Sequence, residues 1–139
     1  MDIATFESEC RCGHQFDLPV LSSMSYGEFL YFDLNGGSPR YLLALNNPVW
    51  DNVSKIVDLT TEANDSAKGA TIQKIMGKIA DKPSTNTDYI QHSICPKCKS
   101  RNITEKDRRT GQIDVEELSF EQFKNHSKSE QRRIVVGLI

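Results

Sequence analysis

The 139-residue sequence predicts an α+β fold, with residues 1–139 forming one domain. Three observations predict this class. A β-rich stretch over residues 29–45 is interrupted by one strong turn, apolar residues recur at helical spacing between residues 47 and 81, and two helix-capping patterns follow residue 118.

The β-rich stretch predicts a hairpin. Phe29–Leu34 is rich in strand formers, and the run Asn35-Gly36-Gly37-Ser38-Pro39 is the clearest turn signal in the chain. Tyr41–Leu45 then completes the hairpin, although YLLAL equally fits the opening of a helix. The aromatic residues also concentrate here, and they form either the core of this region or an exposed partner surface: Tyr26, Phe29, Tyr31, Phe32, Tyr41 and Trp50.

Two amphipathic helices are predicted next. Asn47 is a suitable N-cap and Pro48 a suitable first residue, and one apolar face follows on Val49, Trp50, Val53, Ile56 and Val57. Residues 60–68 are polar and predict a loop. The second helix carries Ile72, Ile75, Met76 and Ile79 and reaches about Asp81, and residues 82–88 form another loop.

The C-terminal third predicts a hairpin and two short helices. Residues 102–107 and 112–115 read as strands joined by the turn Arg108-Arg109-Thr110-Gly111. Ser119 with Gln122 and Ser127 with Glu130 form capping boxes, which place C-terminal helices within residues 119–138. The last helix has its apolar face on Ile134, Val135 and Leu138.

Four cysteines form two close pairs, Cys10 with Cys12 and Cys95 with Cys98. Two pairs from distant parts of one chain suit a structural Zn²⁺ ion, which prefers four thiolates in a tetrahedron. The Cys-x-Cys spacing is short, so residues 10–12 must bend, and Gly13 supplies the flexible residue after the ligand. His14 could replace one ligand of the first pair, and His92 could lie beside the metal. The Cys-Pro-x-Cys run also resembles a dithiol redox motif, but no helix pattern follows it.

The stretches CRCGHQF and ICPKCKSRNI resemble the two knuckles of a zinc ribbon, also called a rubredoxin-type knuckle pair. The resemblance implies that each knuckle tips a β-hairpin, with the ribbon at residues 8–21 and 89–116 and a long insert at 22–88. A strand over 16–21, with Pro19 at an edge position, and a strand over 89–94 would flank the knuckles. The Cys-x-Cys spacing and Lys99, where many ribbons carry glycine, depart from the family. The layout is also loosely similar to bacterial CpXC proteins.

The composition excludes several classes of function. With 37% apolar and 26% charged residues the chain is neither disordered nor membrane-spanning, and no signal peptide is visible, so a cytoplasmic protein with reduced thiols is expected. Hydrolase, nucleotide-binding and zinc-protease motifs are absent, as is the His-x-Glu or Cys-x-Glu partner of zinc deaminases. Four thiolates leave no open metal position, so we expect a protein that is not an enzyme.

Two binding functions remain, beside an enzyme whose site the sequence does not reveal. Residues 1–94 carry a net charge of −5 and residues 95–139 carry +3. The acidic body favours a zinc-stabilised protein-interaction module with a basic partner, and a bacterial immunity or antitoxin protein is one example of such a module. The alternative is a nucleic-acid-binding or transcription-associated ribbon, which would use the basic residues near the second cysteine pair: Lys97, Lys99, Arg101, Lys106, Arg108 and Arg109.

Overall fold

The computed structural model describes residues 1–21 and 27–139 and confirms the α+β class. Tyr26 and the beginning of the predicted insert lie outside the described residues. Along the chain the elements are β1 (Asp2–Cys10), β2 (Gln15–Pro19), β3 (Glu28–Asp33), β4 (Arg40–Leu43), α1 (Pro48–Thr60), α2 (Asp65–Ile79), β5 (Tyr89–Ile90), β6 (Ile103–Asp114), β7 (Glu116–Glu117), α3 (Glu121–Lys124) and α4 (Lys128–Leu138). Among these residues, no helix combines the length and apolar character that a membrane crossing requires.

The first sheet, called the knuckle sheet below, has the strand order β2-β1-β6. All its pairs are antiparallel, from Thr5 opposite Pro19 to Glu9 opposite Gln15 on one side of β1, and from Asp2 opposite Asp114 to Cys10 opposite Ile103 on the other. Pro19 lies on the edge strand β2, as predicted, since a proline has no N–H to donate to a further strand.

Strand β6 corrects the predicted hairpin over 102–115. The chain does not reverse at Arg108–Gly111 but continues as one strand through these residues, paired to β1. Thr5 lies opposite Gly111, Phe6 opposite Arg109 and Ser8 opposite Glu105, so β6 carries extra residues that form bulges here. The glycine-containing run that predicts a turn therefore marks the bulged part of a long strand.

The second sheet has the strand order β5-β3-β4-β7. Below, this sheet and the helices that pack on it are called the helix-backed sheet. The predicted hairpin is confirmed, with Glu28 opposite Leu43 and Tyr31 opposite Arg40. Of the strand predicted over 89–94, only residues 89–90 form a strand, β5, which pairs with β3 and not with β6. The second knuckle therefore does not tip a hairpin, contrary to the ribbon resemblance.

Local caps explain where three helices begin. The Asn47 side chain accepts hydrogen bonds from the N–H groups of Val49 and Trp50, as predicted for α1. Ser127 caps α4 by accepting from the N–H of Glu130. Helix α2 begins at Asp65, inside the predicted loop 60–68, because Asn64 accepts from the N–H of Ala67 and supports a polar first turn.

Helix α3 is capped by a residue that is distant in sequence. Ser119 was predicted to cap it, but the cap position is Phe120, which makes no side-chain bond. The carboxylate of Asp81 instead accepts from the N–H groups of Glu121 and Gln122 and from the Ser119 hydroxyl, at 2.8 to 3.0 Å. These contacts hold the pKa of Asp81 below its usual value although burial opposes the shift. The end of the insert is thereby joined to the C-terminal helices.

One apolar cluster holds the helix-backed sheet together. Helix α1 packs on both α2 and α4, and α2 lies against β5. Gly77 permits this approach, because a Cβ there would stand 2.6 Å from the carbonyl oxygen of Tyr89. The buried members come from the insert and from the C-terminal elements alike: Tyr31, Leu42, Val49, Val53, Ile56, Val57, Ile72, Ile75, Met76, Ile79, Ala80, Tyr89, Leu118, Phe120, Phe123 and Val135.

Candidate metal centre

The first knuckle, Cys10–His14, joins β1 to β2 in a tight loop. The Cys10 N–H donates to the His14 carbonyl at 2.9 Å, and the Gly13 N–H donates to the Cys10 carbonyl at 2.8 Å. Gly13 has φ +91°, a conformation that glycine adopts without steric cost. The chain thus bends after Cys10, as the short Cys-x-Cys spacing requires.

The second knuckle, Cys95–Ser100, repeats this pattern with one more residue. The Cys95 N–H donates to the Ser100 carbonyl, and the Lys99 N–H donates to the Cys95 carbonyl, both at 2.9 Å. Lys99 has φ +64°, so in both knuckles the residue after the second cysteine is left-handed. A lysine in this conformation costs about 1 kcal/mol relative to glycine.

The two knuckles bring all four sulfur atoms together, within 4.8 Å of one another. The Cys10 and Cys98 sulfurs are 3.4 Å apart, and the Cys12 and Cys95 sulfurs are 3.8 Å apart. A tetrahedral site with metal–sulfur bonds of about 2.3 Å has sulfur–sulfur edges of roughly 3.8 Å. The four cysteines are free thiols in this geometry and could hold a metal ion.

The cluster is half buried, since Cys10 and Cys95 are buried and Cys12 and Cys98 are exposed. Burial raises the pKa of Cys95, but the N–H groups of Cys98 and Lys97 and contacts from the other thiols outweigh it and lower the pKa to about 7. The Cys12 N–H lowers the pKa of Cys10, whereas burial and the three other thiols raise it to about 12. Of the two buried thiols, Cys95 is thus the more readily ionised, and a bound cation would favour the thiolate form of both.

Hydrogen bonds among three residues, Arg11, Asn102 and Ser100, connect the knuckles. The Arg11 N–H donates to the Asn102 carbonyl at 2.9 Å, and the Asn102 N–H donates to the Ser100 hydroxyl at 3.0 Å. The first knuckle is therefore bonded to the segment that leaves the second one. No cysteine spacing signals this link, because it uses backbone groups 91 positions apart.

The histidines lie apart from the cluster. No histidine belongs to the group of metal-binding side chains found in residues 1–21 and 27–139. The His14 ring stacks on Phe16 with centroids 5.6 Å apart, and His92 is exposed. His126 pairs with Glu130 at 2.9 Å on α4. The arrangement therefore favours four sulfur ligands over a set that includes His14.

The six basic residues of the nucleic-acid hypothesis do not form one free surface. Lys97, Lys99 and Arg101 are exposed at the second knuckle. Lys106 and Arg108 form ion pairs at 3.6 Å with Glu9 and Glu7 of the neighbouring strand. Arg109 lies beside acidic residues of β6 and donates to Gly111 and Gln112.

Three of the five described aromatic residues of this group pack in or against the apolar cluster. Tyr31 is fully buried, and its hydroxyl donates to the Gln73 carbonyl at 2.5 Å. The Phe29 and Trp50 rings stack with centroids 5.2 Å apart against the same cluster. Phe32 and Tyr41 are half-buried.

Comparisons with known proteins returned nothing similar. Scans against protein-family models, curated proteins and solved structures each found no match.

Proposed function

We propose that Cys10, Cys12, Cys95 and Cys98 bind one structural Zn²⁺ ion, which fixes the knuckle sheet to the rest of the chain. The observation that carries this proposal is the convergence of four thiols within 4.8 Å. Thiolate ligands select soft or borderline ions, and a set of four sulfurs is typical of structural zinc. Both knuckles are closed by two backbone hydrogen bonds and have a left-handed residue after the second cysteine, and this shared geometry supports a common role as metal-binding loops.

The donor set argues for a non-enzymatic role. Four thiolates complete the coordination of zinc, so no position is left for a water molecule or a substrate. A turn ends at Cys98, and residues 99–102 then lead into β6 without forming a helix, whereas a redox dithiol of the glutaredoxin kind sits at the start of a helix. The metal in this proposal stabilises the fold and takes no part in a reaction.

We infer that the protein acts by binding another protein, and that the partner is basic. The chain carries −2 at neutral pH, and a zinc ion with four thiolates brings the total to about −4. A role as an immunity or antitoxin protein and a cytoplasmic location stay predictions. Nucleic-acid binding is the weaker alternative, because the structure pairs Lys106 and Arg108 with glutamates.

The metal is tested by elemental analysis and X-ray absorption of the purified protein. We expect one zinc per chain with four sulfur neighbours at about 2.3 Å. The Cys95→Ser variant should lose the metal, while His14→Ala and His92→Ala should keep it as matched controls. A metal-free folded protein, or a spectrum with a nitrogen ligand, would contradict the proposed site.

The partner is tested by affinity capture from the cells that make the protein, with nuclease present and at low salt. We expect the zinc-loaded chain to retain a basic protein. A second capture omits the nuclease. If it retains only nucleic acid, or if neither capture retains a macromolecule, the interaction function is contradicted while the proposed metal site stands.

A further inference from the structure

A cleft of about 690 Å³ lies between the knuckle sheet and the beginning of β3. Its lining combines two kinds of side chain. Apolar groups come from β1 and from the residues after β2, including Ala4, Phe6, Val20 and Leu21. A cleft of this size and composition accommodates several side chains of a ligand and removes their apolar surface from water.

Carboxylates form the other part of the lining: Asp2, Glu28, Glu105 and Asp107. In the part of the chain that the structure describes, the ion pairs include none of these four groups. Two cations lie in the lining, and both are engaged elsewhere. Arg109 donates to the Gly111 carbonyl and to the Gln112 side chain, at 3.3 and 3.4 Å, and the Met1 ammonium pairs with Asp114 at 3.1 Å. The cleft therefore has a surplus of negative charge that residues 1–21 and 27–139 leave without an ion pair.

Strand β6 separates charge between its two faces. Lys106 and Arg108 point to one face and pair there with Glu9 and Glu7. Glu105, Asp107 and Arg109 alternate with them and line the cleft on the other face. One face of the strand is thus neutralised within the sheet, while the cleft face carries more acid than base.

We propose that this cleft binds a basic polypeptide segment of the partner. An aliphatic or aromatic side chain of the segment contacts the apolar lining, and flanking lysine or arginine side chains pair with the four carboxylates. The charge complementarity identifies the occupant, because an acidic or neutral segment would leave these carboxylates desolvated and unpaired. This inference rests on the proposed interaction function and names the surface that performs it.

The test uses the zinc-loaded protein and a fluorescein-labelled peptide of alternating lysine and leucine. Binding is measured by fluorescence anisotropy at low and at physiological salt. The variant E105Q/D107N removes two cleft charges, and the matched control E7Q/E9Q removes two charges from the opposite face. We expect the cleft variant to weaken binding by about tenfold and the control by less than about threefold, because only the first removes partners of the peptide. A peptide of alternating lysine and serine should bind more weakly than the lysine–leucine peptide.

Four results would overturn the inference. Equal weakening by both double variants would show a general response to net charge. Preferential binding of a single-stranded oligonucleotide would identify a different class of occupant, and sedimentation showing a dimer that E105Q/D107N dissociates would identify a second copy of the chain. If E105Q/D107N still captures the cellular partner normally, the cleft assignment fails while the interaction function stands. If no cellular partner is captured, the interaction function fails, while the peptide measurements still decide the cleft assignment.

Discussion

The two sheets of this protein are stabilised in different ways. The helix-backed sheet shares one cluster of buried apolar residues with four helices. In the three strands of the knuckle sheet, the buried apolar residues are Ile3, Cys10 and Leu18, and β6 has no buried residue along its length. Apolar burial contributes about 25 cal/mol per Å², so the helix-backed sheet has its own source of stability. The knuckle sheet relies on backbone pairing and the cysteine cluster, so its stability is the one that should depend on metal.

Metal removal should separate the two regions and has the largest expected effect. The Cys95→Ser variant, or a chelator, should lower the melting temperature by roughly 10 °C or more, because binding energy at a structural site is folding energy. Hydrogen exchange should then show lost protection in β1, β2 and β6 and retained protection in α1, α2 and α4. His92→Ala serves as the control. Uniform loss of protection across both sheets would mean that they do not differ as described.

Overpacking should destabilise the helix-backed sheet specifically. Gly77→Ala places a methyl group against the Tyr89 carbonyl and 3.0 Å from the Tyr31 ring, so the free energy of unfolding should fall by about 2 kcal/mol. Gly69→Ala is the matched control in the same helix, because its methyl group meets no atom within 4 Å, and it should add about 0.5–1 kcal/mol. Urea unfolding measures both, and equal effects of the two variants would rule out close packing at Gly77.

Removing the long-range cap should give the smallest change. Asp81→Asn should lower the free energy of unfolding at pH 7 by about 1 kcal/mol, since the carboxylate caps α3 from outside that helix. The folded state lowers the pKa of Asp81, so its contribution is present above the unfolded pKa of about 4 and is lost as the pH falls further. The difference between wild type and variant should therefore shrink in acid. A difference that stays constant from pH 7 to pH 3 would argue against an ionised cap.

Much of the helix-backed sheet is predictable because its signals are local. Asn47 before Pro48, Ser127 before Glu130 and the turn at Asn35–Pro39 all act through bonds within a few residues. Each is confirmed within a residue or two. The beginning of α2 is missed because its first turn is polar, and the cap of α3 is missed because Asp81 is distant in sequence.

The knuckle sheet is predicted less well because its pairing is non-local. The residue pattern does not predict strand β1, because its buried face includes Thr5 and Ser8 and therefore lacks a clear apolar alternation. Strand β6 is polar throughout, and its ladder to β1 joins residues about 100 positions apart. A turn-like sequence is overruled there by hydrogen bonds that only the folded chain supplies.

Residue chemistry and short-range spacing were sufficient to predict the four cysteines as candidate metal ligands, the α+β class and the positions of α1 and α4. Only the tertiary structure decided which sulfurs are neighbours, which face of β6 is neutralised and where unpaired carboxylates collect. Those features depend on strand register and on contacts between distant segments, and a single residue's shift in register would move each side chain to the other face of the sheet.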